Sequence, residues 1–173
     1  MDAQEYLAFI PLLIYGIAIA DLLDEWRRLF YKKDRYLPYV FMTIVFTETA
    51  IYNVFIYINL LDELVGQTYL SYLKYLMPPV LFLLMVRSFT PEKNDDTKAY
   101  FIKTMPMFLT LFAVFVAVHF LFDFQENIQT ILGRIFAIIA ILATGYFRKT
   151  WIIYFLVLLW FVIFTMRFDL ITT

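Results

Sequence analysis

The stretch that decides the fold is residues 37–61, LPYVFMTIVFTETAIYNVFIYINLL, which holds a single charged residue, Glu48. Wound as a helix at 1.5 Å per residue it reaches about 37 Å, more than the ~30 Å hydrocarbon layer of a bilayer. A chain crossing lipid must satisfy each backbone N–H and C=O within its own segment, which an unbroken apolar run does as an α-helix. Working outward, five further runs have the same character: residues 6–23, 69–89, 104–122, 128–147 and 151–170. The expected fold is all-α, a polytopic membrane bundle of six transmembrane helices forming one domain over residues 1–173.

Composition agrees. Hydrophobic residues make up 63% of the chain and aromatic residues 21%, where a soluble domain of this size is nearer half apolar. Only four glycines are present, so the helices should pack through large side chains rather than close backbone contacts. A net charge of −1 gives nucleic acid no basic surface. The absence of cysteine excludes disulfides, thiolate-bound metals and iron–sulfur clusters within the chain. One histidine excludes a bis-histidine haem or a multi-histidine metal site built from one copy. No motif points to a cofactor.

The loops set orientation. Arg27, Arg28, Lys32, Lys33 and Arg35 lie between the first two runs; Arg87, Lys93, Lys98 and Lys103 between the third and fourth; Arg148 and Lys149 between the fifth and sixth. Eleven of the 14 lysines and arginines therefore fall on one side, and the opposite loops, residues 62–68 and 123–129, have none. Basic loops stay in the cytoplasm, so both termini are expected outside it, in the inner membrane if the source is bacterial. Residues 1–5 carry Asp2 and Glu5 and no cation, so the first run reads as a membrane helix rather than a cleaved signal. Beyond it, residues 22–35 alternate Leu22, Leu23, Trp26, Leu29 and Phe30 with cations at helical spacing. This predicts an amphipathic segment on the inner leaflet, with Arg27, Arg28, Lys32 and Lys33 against lipid headgroups.

Ionisable groups within the spans each need a reason, because inserting one costs roughly 2.5–3.5 kcal/mol. Glu48 sits midway along its helix, with Tyr52 one turn on and Asn53 beside it, and Lys74 or Arg134 is its expected cation. His119 and Asp123, one turn apart, are expected to pair. Arg167 lies near the end of the last run. By depth these residues gather in the outer half of the bundle. Pro78 and Pro79 interrupt the third run, free the carbonyls of Lys74 and Tyr75, and should kink that helix. No nucleophile, paired-histidine or glycine-rich phosphate motif is present, so no residue is assigned to catalysis or to a metal. Three functional classes fit. The favoured one is a non-catalytic subunit of a membrane complex, in contact with lipids and with a protein partner or a second copy. The alternatives are a proton, ion or small-solute transporter using Glu48 and the outer cations, and a membrane enzyme or a lipid- or quinone-binding protein with an outer-leaflet cavity.

Overall fold

The computed structural model describes residues 3–30, 35–59, 68–92, 95–122 and 128–171. They are all-α: α1 (Ala3–Phe30), α2 (Leu37–Asn59), α3 (Tyr69–Phe89), α4 (Thr97–Val118, extended by a 3-10 turn His119–Leu121), α5 (Ile128–Phe147) and α6 (Thr150–Ile171). Three of the described helices, Leu37–Ile58, Tyr69–Phe89 and Thr97–Leu121, are long and apolar enough to cross a membrane. Shorter apolar stretches occupy Ile131–Phe147 and Thr150–Val162.

Two helix starts follow from capping side chains. Thr68 accepts the amide of Ser71 at 3.3 Å and opens α3. Asp96 accepts the amide of Ala99 at 2.7 Å and opens α4 at Thr97. Hydropathy alone places that start near residue 104, with Pro106 as its N-terminal marker. The cap moves it earlier, and Pro106 lies inside the helix.

The packing order departs from the chain order at one place: α2 and α3 are not principal neighbours. The principal contacts form a ring, α1–α3–α4–α5–α6–α2 and back to α1, with α2 also touching α4. The interior is largely aromatic. Tyr39, Phe46, Phe82, Phe89, Phe101 and Phe108 are fully buried. Tyr39 stacks on Phe89 with centroids 4.5 Å apart, and Phe46 and Phe108 meet Phe89 edge-on at 5.0 and 5.3 Å. Such pairs contribute about 0.5–1.5 kcal/mol beyond their buried area. Backbones approach closely at Gly145, where an added Cβ would sit 3.3 Å from the Leu109 Cβ and 3.4 Å from the Pro106 Cα. That glycine lets α5 settle against α4.

Candidate functional site

Most of the buried serine and threonine hydroxyls are spent within their own helices. Thr43 donates to the Tyr39 carbonyl, Thr47 to Thr43, Ser88 to Met85, Thr104 to Tyr100 and Thr144 to Ala140, all within 3.0 Å. This back-bonding hides a polar group in an apolar surrounding. The polar groups that reach between helices are fewer, and they fall in three places.

The first is the half of the bundle away from the basic loops. Asn53 is buried in α2, donates its amide to the Thr49 carbonyl at 2.8 Å, and presents Oδ1 to His119 Nε2 at 3.2 Å. The other ring nitrogen of His119, Nδ1, faces the Phe115 carbonyl at 2.8 Å. A carbonyl and an amide oxygen can only accept, so the three bonds coexist when both ring nitrogens carry hydrogen. The Phe115 ring packs edge-on against the imidazole at 4.7 Å. Asn53 and His119 thus clasp α2 to the end of α4. Glu48 and Tyr52 are half-buried on the same helix as Asn53. Arg134 of α5, also half-buried, holds its guanidinium over the Phe120 ring at 5.7 Å, in cation–π range. Lys74 projects from the exposed side of α3. Asp123, the expected partner of His119, lies outside the described residues, as do Lys32, Lys33 and the side chains of Arg28 and Arg167. Arg27 is described and exposed.

The second place is the proline break. Pro79 has no N–H to return to the Tyr75 carbonyl, which is therefore freed from the helical ladder. Tyr57 of α2 fills the vacancy: its phenol donates to that carbonyl at 2.5 Å. The Tyr57 ring is buried and meets the Tyr15 ring edge-on at 5.5 Å. Pro78 and Pro79 are themselves buried, so the break faces the bundle.

The third lies at the basic end. Arg87 Nε approaches Asp21 Oδ2 to 2.7 Å; the contact is ionic rather than a well-aligned hydrogen bond. Beside it, Asp24, Glu25, Thr90 and Pro91 complete an open cleft of about 180 Å³. Glu25 is buried and accepts the Tyr39 hydroxyl at 2.6 Å, and Trp26 Nε1 donates to Thr47 Oγ1 at 3.2 Å. These bonds hold the last turns of α1 against α2. Among the described residues no group of three histidine, cysteine, aspartate or glutamate side chains is placed to hold a metal ion.

No family model, curated protein or solved structure matches the chain. Function must be read from these side chains alone. Of the residues singled out by sequence, the structure brings Asn53 and His119 together across two helices. It ties the proline pair to Tyr57, a residue that sequence reading passed over. The available signal was a tyrosine two residues before Asn59, at a depth matching the carbonyls that Pro78 and Pro79 release. Also passed over was the contact of Glu25 with Tyr39, since Glu25 lies in the segment that reads as amphipathic and turned to the lipid surface.

Proposed function

We propose that this chain is a six-span membrane protein with both termini on the non-cytoplasmic face, and that it serves as a non-catalytic component binding a protein partner or a second copy within the membrane. One observation supports this above others: the polar groups reaching between helices are used to fasten helices. Asn53 and His119 join α2 to α4, Tyr57 joins α2 to α3, and Tyr39 and Trp26 join α1 to α2. A conduction route needs polar groups turned toward water along its length, and a catalytic site needs them turned toward a substrate. Outside, α5 and α6 carry exposed apolar residues at helical spacing: Leu132, Phe136 and Ile139 on one, Phe155, Leu158 and Val162 on the other. Such a surface suits lipid or another membrane helix.

The test extracts the protein at native abundance in mild detergent and weighs it intact, alongside proton-flux measurements on the purified chain in sealed vesicles. A fixed-stoichiometry complex, with no flux from the chain alone, is expected. A monomer that carries protons overturns the proposal. The transport alternative draws on Glu48, half-buried at mid-helix between Thr47 and Thr49. On that reading Glu48→Gln abolishes pH-driven flux in a protein that still folds; on the subunit reading neither form conducts. Because the chain has no cysteine, single cysteines map sidedness directly. Labelling at Lys98 from the cytoplasmic side only is expected, and labelling there from outside removes the proposed topology.

A further inference from the structure

The turn between α5 and α6 is built in an unexpected way. Arg148 closes α5 with φ of 51°, in the left-handed region, and its amide bonds to the Thr144 carbonyl at 3.0 Å. This is the position where a helix end ordinarily uses glycine, because any Cβ there meets the neighbouring carbonyl. The chain instead keeps a long cation in the strained place and follows it with a second, Lys149. Both are exposed, and neither makes an ion pair with a described residue. Phe41 of α2 and Tyr154 of α6 meet edge-on at 5.8 Å and the Tyr36 side chain lies near Thr150, so the start of α2, with exposed Arg35, stands at the same end of the bundle as this turn. Around the three cations stand large uncovered rings: Tyr146 is 81% exposed, Phe147 60% and Trp151 67%. Tyr146 and Phe147 pack edge-on at 5.2 Å.

Rings with nothing over them, beside unpaired cations at the end of two apolar helices, match the two layers of a lipid interface. Aromatic side chains favour the headgroup boundary, and cations favour anionic headgroups. We propose that Arg35, Arg148 and Lys149 form a binding site for the phosphate of an anionic phospholipid, with Tyr146, Phe147 and Trp151 seating its glycerol and upper acyl region. The site gives Arg148 a role at a position where glycine would relax the backbone. It rests on the chain residing in a bilayer, and not on which face of that bilayer the turn occupies.

The experiment places the full-length chain in nanodiscs whose two leaflets are identical, so that sidedness does not enter. A fluorescent donor is attached to a cysteine replacing Leu142, which is exposed one turn before Tyr146. Energy transfer to acceptor-labelled phosphatidylglycerol is compared with transfer to acceptor-labelled phosphatidylcholine. The wild type should concentrate phosphatidylglycerol near the donor. Arg148→Gln should lower that preference about fivefold at low salt, the effect of one surface cation, while Arg148→Lys keeps most of it. Arg148→Gly should lose the preference yet unfold no more easily than wild type, which separates charge from folding. Replacing Lys98 and Lys103, exposed cations of the same end, with Gln should leave the local preference intact. Equal transfer from both lipids in the wild type, a preference surviving Arg35→Gln/Arg148→Gln/Lys149→Gln, or an equal loss in the Lys98/Lys103 control would each overturn the site. A reversed sidedness in cysteine mapping would sink the topology above and leave this site standing.

Discussion

Replacing Tyr57 with Phe removes one oxygen and leaves the ring in place. What changes is the Tyr75 carbonyl, which Pro79 has already deprived of its helical donor. With the phenol gone, that carbonyl loses the donor that replaced its helical one, and an unsatisfied buried acceptor costs up to about 1–3 kcal/mol. Side-chain bonds between membrane helices average nearer 0.6 kcal/mol and reach ~1.7, because the unfolded chain in lipid also finds partners. A loss of about 1–2 kcal/mol is therefore expected. Pro79→Ala supplies the decisive background. Alanine restores the amide that bonds the Tyr75 carbonyl within α3, so the phenol becomes redundant and Tyr57→Phe should then cost under about 0.5 kcal/mol. The assay is reversible unfolding in mixed micelles, followed by helical circular dichroism, for the wild type, both single variants and the double. A coupling of about 1 kcal/mol between positions 57 and 79 is the expected result. If Tyr57→Phe costs the same with proline or alanine at position 79, the phenol is not serving the proline break and the account is refuted.

Three further outcomes are expected in the same unfolding assay. Asn53→Leu and His119→Phe should each lose about 1 kcal/mol, and the double variant should lose little more than either, because each single change already breaks the one α2–α4 clasp; full additivity would show that the two do not act together. Gly145→Leu should unfold the protein several degrees earlier by driving side chain into Leu109 and Pro106, whereas Gly133→Ala, which meets nothing within 4 Å, should stabilise by about 0.5–1 kcal/mol. Arg87→Gln should cost at most about 0.5 kcal/mol and lose even that at high salt, since the Arg87 side chain is 62% exposed in its pair with Asp21.

The all-α character and the three helices long and apolar enough to cross a membrane were legible because they depend on local quantities, run length and hydropathy, which Leu37–Ile58 displays without reference to any other part of the chain. The start of α4 was not, since one capping carboxylate at Asp96 outweighs hydropathy over two turns. The carbonyls freed at Pro78 and Pro79 could be foreseen from the missing amides. That Tyr57 would reach one of them could not, because this depends on where the end of α2 comes near α3 in the folded bundle. The clasp shows the same limit. His119 and Asn53 were singled out separately as polar groups in apolar runs, and nothing in the sequence joins two residues 66 positions apart. Helix-to-helix pairing is a three-dimensional choice, and hydropathy carries almost no information about it.

The ring order has a consequence for how the chain is made. Three helices separate α2 from α6 along the chain, yet the two are neighbours, with Phe41 and Tyr154 in edge-on contact at 5.8 Å. Throughout translation of the intervening helices, one flank of α2 waits for a companion still on the ribosome. The α1–α3 and α3–α4 seams can form before α6 is made, but the ring closes only when α6 reaches α2 and α5. A chain lacking α6 would keep that flank bare, along with the face of α5 that meets α6, and the arrival of α6 covers both.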